Sequence, residues 1–183
     1  GERGSVYISD GYGNHRMVVF DAKGKYLRQW GGSGTGPGQF VPTGGGHPHC
    51  VALSNEGLLY TCDRGPGGGK HQSRIQVFDK VGTLKQTIPL NPPNQLPLTG
   101  RVSHIVFSRD PEQMFMFVAD LGTNAIQIME RKSGKLVGTI GRAGRMAGQM
   151  AAPHTLGIDS KGNIYVAETI TGRRLQKFVK AGG

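Results

Sequence analysis

One four-strand pattern recurs along this 183-residue sequence and restricts the fold more than any other feature. Short runs rich in β-branched and aromatic residues alternate with turn sequences such as SNEG, DAKG and DSKG. Runs of this kind between such turns are typical of strands joined by tight hairpins. Aligning the chain on itself gives a period of about 50 to 55 residues with four strands in each unit. Four-stranded units at this spacing are typical of β-propeller blades.

The repeat predicts a single all-β propeller region over residues 1–183, with blade units of about 1–43, 44–98, 99–150 and 151–183. The first unit lacks its opening strand and the last lacks its closing strand, so we expect fourteen strands grouped as three, four, four and three. That makes about three and a half blades, whereas closed propellers have about four to eight. We therefore expect either part of a larger propeller or half of a ring that two copies complete by self-association.

The composition favours a basic globular protein. The 31 glycines lie between the apolar runs, as in a chain with many tight turns, and no apolar stretch is long enough for a membrane span. The net charge of +10 favours anionic partners such as RNA or an acidic protein surface. Most basic residues are scattered, and a looser cluster comprises Arg142, Arg145, Arg173, Arg174, Lys177 and Lys180.

Two cysteines, Cys50 and Cys62, lie on the two arms of a predicted hairpin. A turn centred on Glu56 gives the pairs 54–58, 52–60 and 50–62, which places the cysteines opposite each other. They form either a cross-strand disulfide or two small buried hydrophobic residues. A disulfide would favour a secreted or periplasmic location.

Histidine occurs at the start of the first strand in three units, at His49, His104 and His154. In a propeller these strands line the central channel, so their first residues converge on the axis. Three imidazoles and a water make a catalytic zinc site. The alternative is a polar residue that suits a turn and whose ring bonds a neighbouring loop. We interpret His15, His47 and His71 as solvated loop residues.

Arginine begins the third strand of three units, at Arg16, Arg74 and Arg174. These side chains either clamp neighbouring blades or form a rim that faces an anion, with Arg16 gripping a carboxylate. In the clamp interpretation their partners are the acids that end the second strands, Asp10, Asp63 and Glu168.

The repeat itself resembles a known family. The segment VYISDGYGNHRMVVFDAKGKYLRQWG, followed by PGQF and a Pro-His strand start, resembles the NHL repeat, which builds six-bladed β-propellers. Within that family the chain is most similar to peptidyl-α-hydroxyglycine α-amidating lyases and their uncharacterised bacterial relatives. The segments that carry this similarity are SDGYGNHR, PHCVAL, CDR, RIQVF, PHTLGID and GNIYVAE.

The resemblance implies a metal-dependent C–N lyase that splits a peptidyl-α-hydroxyglycine into a peptide amide and glyoxylate. Its zinc is held by three histidines from alternate blades, each after a proline. His49 after Pro48 and His154 after Pro153 match that motif, and a third ligand is expected outside this chain. His104 is placed at the equivalent position of the intermediate blade. The family also binds calcium in some members, which makes calcium a second candidate cofactor.

The resemblance further matches Arg16 to an arginine that acts on the substrate, whereas the tyrosine base of these lyases has no assigned counterpart. Two functions follow. The chain is either an amidating-lyase-like enzyme acting on a small peptide-derived substrate, in intact, degenerate or truncated form, or a non-catalytic NHL module. Such a module would bind protein or RNA through the basic face of the propeller. The sequence does not decide between enzyme and binding module.

Overall fold

All regular structure in the described part of the chain is β-strand. The computed structural model describes residues 4–42, 47–65, 73–90 and 102–181. In these residues, fourteen strands form four antiparallel sheets of three, four, four and three strands, so the predicted grouping is confirmed. Sheet 1 contains β1 (Val6–Asp10), β2 (Arg16–Phe20) and β3 (Tyr26–Gly31). Sheet 2 contains β4 (Val51–Leu53), β5 (Leu59–Asp63), β6 (Arg74–Phe78) and β7 (Leu84–Pro89).

The other two sheets repeat this arrangement. Sheet 3 contains β8 (Val102–Phe107), β9 (Phe115–Asp120), β10 (Ala125–Glu130) and β11 (Leu136–Ile140). Sheet 4 contains β12 (Pro153–Ile158), β13 (Ile164–Glu168) and β14 (Leu175–Phe178). Strands follow one another in sequence order within every sheet, and the first strands β4, β8 and β12 are neighbours. The result is an open β-propeller whose first strands form the inner wall.

Asp-x-x-Gly turns connect the outer hairpins for a local reason. In the turn after β6, Oδ1 of Asp79 accepts hydrogen bonds from the backbone N–H groups of Val81 and Thr83. Gly82 adopts a φ of +101°, a conformation that other residues rarely take. Carboxylates bond the turn in the same way at Asp21 and Asp159. Turn chemistry therefore fixes the hairpins that the sequence predicts.

The hydrophobic core lies between successive sheets. Met17, Phe40, Leu59 and Phe78 fill the space between sheets 1 and 2, and all four are almost fully buried. Larger clusters fill the next two spaces, between sheets 2 and 3 and between sheets 3 and 4. Sheets 2 and 3 bury both faces against their neighbours, whereas sheets 1 and 4 each pack one face on a neighbouring sheet.

The cysteine hairpin has the predicted register. Val51 pairs with Thr61, Ala52 with Tyr60, and the N–H of Cys62 donates to the carbonyl of Cys50. The two cysteines form a disulfide, with a Cα–Cα distance of 4.9 Å, which settles the open alternative in favour of the cross-link. Among the described residues, no helix of the length and apolar character needed to cross a bilayer occurs.

The strand-start arginines form the clamp that the sequence allows. Nε of Arg74 lies 2.6 Å from Oδ2 of Asp63, its register partner in the same sheet. The rest of its guanidinium donates to the carbonyls of Thr35, Gly36 and Gln39 in the loop that enters the sheet. The pairs Arg16–Asp10 and Arg174–Glu168 have the same geometry, at 2.8 and 2.7 Å. The ion pair thus lies within one sheet, and loop carbonyls make the link to the preceding sheet.

Candidate metal centre

The strand register identifies which residues occupy equivalent positions at the mouth of the inner wall. The second strands of sheets 2, 3 and 4 end at an acid: Asp63, Asp120 and Glu168. The residues two positions before these acids pair with Val51, Ile105 and Leu156 on the first strands. Counting back two positions from these gives His49, Ser103 and His154. The predicted equivalence of His104 is therefore wrong by one residue.

A shift of one residue matters because successive side chains of a strand point to opposite faces. The sequence carried a signal of this shift. Ser54 and Asp159, at the following turns, come five residues after His49 and His154, whereas Ser108 comes only four residues after His104.

His49 and His154 meet at the inner wall. Their ring centroids lie 4.9 Å apart, with the rings at 78° to each other, and both side chains are partly buried. Nδ1 of His49 lies 2.8 Å from the backbone carbonyl of Ser103. Because a carbonyl can only accept, Nδ1 carries the proton and Nε2 keeps its lone pair. A histidine held in this way is oriented as a metal ligand.

His104 is oriented differently. Its Nδ1 accepts a hydrogen bond from the backbone N–H of Leu156 at 3.4 Å, so in the neutral ring Nε2 carries the proton. Neither nitrogen then offers a lone pair to a metal. Within residues 4–42, 47–65, 73–90 and 102–181, no three His, Cys, Asp or Glu side chains are arranged to hold one metal ion together. Two of the three predicted ligands therefore come together, and the third does not join them.

Burial keeps the two facing imidazoles neutral. Burial, aided by the nearby charge of Arg64, lowers the pKa of His49 to about 4, and the same two causes lower the pKa of His154. At pH 7 both rings are therefore unprotonated, which is the form that binds metal ions.

Two residues that sequence reasoning did not assign complete the site. The exposed ring of Tyr12 lies edge-on to His49, with centroids 6.0 Å apart. Arg64, directly after β5, is 9% exposed, and its charge interacts with the Tyr12 side chain. Its Nε and Nη1 atoms are buried and have no hydrogen-bond partner among the described residues. Their positions are the signal that the sequence offers for these two residues. Tyr12 comes two residues after Asp10, and Arg64 comes directly after Asp63, each in the loop that follows a second strand.

His47 corrects another expectation, since it is buried rather than solvated, with 1% of its surface exposed. Its Nδ1 lies 3.8 Å from Oδ1 of Asp63, and burial lowers its pKa to about 4. His15 is partly buried, with Nδ1 3.2 Å from the carbonyl of His47. His71 lies outside the described residues. His47 is therefore a buried residue that contacts Asp63 and His15, two positions before His49.

Arg16 is bound within the protein. Its Nε contacts Asp10, and its Nη1 donates to Oε1 of Gln29 at 2.6 Å. Two members of the basic cluster also contact residues of the protein itself: Arg174 pairs with Glu168, and Lys177 lies over the ring of Tyr165. Of the remaining members, Arg142 and Arg145 lie in the loop that precedes β12, Arg173 lies between β13 and β14, and Lys180 follows β14.

Comparison with known proteins gives similarities in both sequence and structure. The peptidylglycine alpha-amidating monooxygenases of Mus musculus and Rattus norvegicus are each 46% identical to this chain over 80 residues. The match covers 41% of this chain and only 7% of each relative. No family model matches the chain.

The solved structures that resemble the chain share its fold at low sequence identity. Hydrazine synthase of Kuenenia stuttgartiensis aligns with a TM-score of 0.63 and 17% identity, over 96% of this chain and 43% of that one. The periplasmic gluconolactonase of Pseudomonas aeruginosa aligns with a TM-score of 0.51 and 16% identity, over 97% and 54%. The chain is thus an open β-propeller whose similarity to peptidylglycine alpha-amidating monooxygenases fits an NHL-like relationship.

Proposed function

We propose that this chain carries part of a zinc-dependent lyase centre that cleaves peptidyl-α-hydroxyglycines into a peptide amide and glyoxylate. The observation that carries the proposal is the meeting of His49 and His154, with Tyr12 and Arg64 beside them. The similarity to amidating monooxygenases supports the same substrate class.

Two residues of the chain are suited to bind one metal ion together. His49 and His154 would hold it through Nε2 of His49 and a ring nitrogen of His154, and further ligands would come from solvent or from outside the described residues. When bound there, zinc would act as a Lewis acid on the α-hydroxyl oxygen of the substrate and make its proton easier to remove.

Tyr12 is suited to remove that proton. Its phenol is exposed and its ring lies edge-on to His49, so the phenol is placed to act as a general base at this centre. As the hydroxyl proton leaves, the carbon–oxygen double bond of glyoxylate forms and the C–N bond breaks. The amide nitrogen takes up one proton, which the tyrosine can return, and the products are the peptide amide and glyoxylate.

Arg64 is also placed to hold the substrate carboxylate. A buried guanidinium with two unpartnered nitrogens is costly unless an anion pairs with it. A substrate carboxylate that accepts a charge-assisted hydrogen bond from one of these nitrogens would offset part of that cost. Arg16, by contrast, already has Asp10 and Gln29 as partners.

Metal titration of the purified chain tests the proposal. We expect Co²⁺ or Zn²⁺ to bind with one site per chain, and His49→Ala or His154→Ala to remove that binding. His104→Ala is the matched control and should leave the affinity within about threefold, because His104 occupies the adjacent strand position. Absence of metal binding, or an equal loss in His104→Ala, would overturn the proposal.

The location of the protein is proposed on separate grounds. The disulfide between Cys50 and Cys62 favours an oxidising compartment, that is, a secreted or periplasmic protein. Binding of RNA or of a protein partner through the basic cluster, and self-association to complete a ring, stay predictions. A salt-dependent RNA affinity, measured on the same purified chain, would favour the binding module.

A further inference from the structure

A cleft of about 380 Å³ opens directly beside the proposed centre. Arg64 lines the cleft. Ala151 and Ala152, which immediately precede Pro153 and His154, line it as well. Arg145 also lines the cleft. The cleft therefore shares Arg64 with the reacting centre and continues away from it.

The charge of the cleft has one sign. Among the described residues that line it, Arg64 and Arg145 are the charged ones, and none is aspartate or glutamate. In the described part of the chain, the guanidinium of Arg145 has no ion-pair partner, and it is exposed. Because Arg64 is more than nine-tenths buried with two unpartnered nitrogens, the cleft favours an anionic ligand.

Apolar side chains form the rest of the cleft. Leu121 and Met150 are buried in its wall, whereas Ile170 is 68% exposed. Ile170 also has a φ of +52°, a left-handed conformation that is unfavourable for a β-branched residue. Strain of this kind is retained where surrounding structure demands it, and it is frequent at binding sites. Ile170 comes two residues after Glu168, as Tyr12 comes two residues after Asp10.

We propose that this cleft binds the peptide part of the substrate and selects an apolar residue next to the reacting unit, with an acidic residue before it. This inference rests on the proposed function. The substrate carboxylate would pair with Arg64, the apolar side chain would contact Ile170, and the acidic side chain would pair with Arg145. The preferred substrates are then hydroxyglycine-extended peptides ending in an acidic and an apolar residue.

Binding of uncleavable peptides tests the cleft separately from catalysis. Fluorescein-labelled peptides that end in Asp-Leu-Gly, Lys-Leu-Gly and Asp-Asn-Gly lack the reactive hydroxyl, and their affinities follow from fluorescence polarisation. We expect Asp-Leu-Gly to bind about tenfold more tightly than either of the others, the factor that about 1.4 kcal/mol gives.

Matched variants assign the effect to the cleft. Arg145→Gln should remove the preference for Asp over Lys, whereas Arg142→Gln, in the same loop but outside the cleft lining, should retain it. Ile170→Asn should remove the preference for Leu over Asn, whereas Val179→Asn, at an equally exposed position of the same unit, should retain it.

Equal affinities for the three peptides, absence of binding, or the same effect in a variant and its control would overturn the proposal. The peptides undergo no reaction, so failure of the lyase function leaves their selective binding intact. Conversely, glyoxylate release that is indifferent to the preceding residues would overturn the cleft proposal alone.

Discussion

Replacing Arg64 by methionine should make the protein more stable while removing its function. The side chain is 9% exposed, and Nε and Nη1 have no hydrogen-bond partner in the part of the chain that the structure describes. Each unsatisfied buried donor costs roughly 1–3 kcal/mol, and the lost interaction with the exposed Tyr12 offsets only part of the sum for two donors. Methionine keeps the apolar stem, so we expect a net gain in the free energy of unfolding of about 1–3 kcal/mol.

Urea unfolding of the metal-free protein, followed by circular dichroism, measures this difference, and Tm should rise by several degrees. Arg74→Met is the matched control, because its guanidinium is fully bonded to Asp63 and to loop carbonyls. That variant should lose about 3–5 kcal/mol, since it leaves a buried carboxylate unpaired. If Arg64→Met were destabilised by about 1 kcal/mol or more, Arg64 would be a structural residue and the reasoning would fail.

Three further predictions concern the scaffold. Replacing Cys50 and Cys62 together by alanine should cost about 3 kcal/mol in urea unfolding, because the disulfide closes a loop with a sequence separation of 12; an unchanged midpoint would contradict this. Arg131→Ala should cost about 3–5 kcal/mol, whereas Glu56→Gln should cost clearly less, because Arg131 is 1% exposed and its carboxylate partner is 44% exposed. Equal losses of unfolding free energy in the two variants would contradict this. Burial acts to raise the pKa of Glu168, but hydrogen bonds to the carboxylate outweigh it and lower the pKa below its usual value. The carboxylate therefore contributes stability above about pH 4.5 that is lost as pH falls through the lowered pKa. In Glu168→Gln the urea midpoint should fall less between neutral and acidic pH than it does in the unchanged protein.

The fold could be predicted from the sequence because its determinants are local. Alternating apolar residues set each strand, and Asp-x-x-Gly turns such as the one after β6 set each hairpin. The register of the cysteine hairpin followed from its turn alone, and the structure confirms it. The repeat then grouped the strands correctly into sheets.

The site was harder to predict because its determinants are not local. Aligning the histidines of the repeats predicts His104 as the third ligand. The spacing in that repeat differs by one residue, so Ser103 occupies the equivalent position. Ser103 instead supplies the carbonyl that orients His49. The burial of His47 and the contact of Tyr12 with His49 arise only when loops of different sheets come together. Such contacts leave no periodic signal in the sequence.

Release of glyoxylate from a peptidyl-α-hydroxyglycine tests the central claim most directly. The assay compares the zinc-loaded chain with its Tyr12→Phe variant, and the zinc content of both proteins is measured in parallel. We predict zinc-dependent formation of equal amounts of glyoxylate and peptide amide, and a loss of about 10²–10⁴-fold in rate for Tyr12→Phe with its zinc content unchanged. A zinc-loaded chain that releases no glyoxylate, or a Tyr12→Phe variant with full activity, would contradict the account.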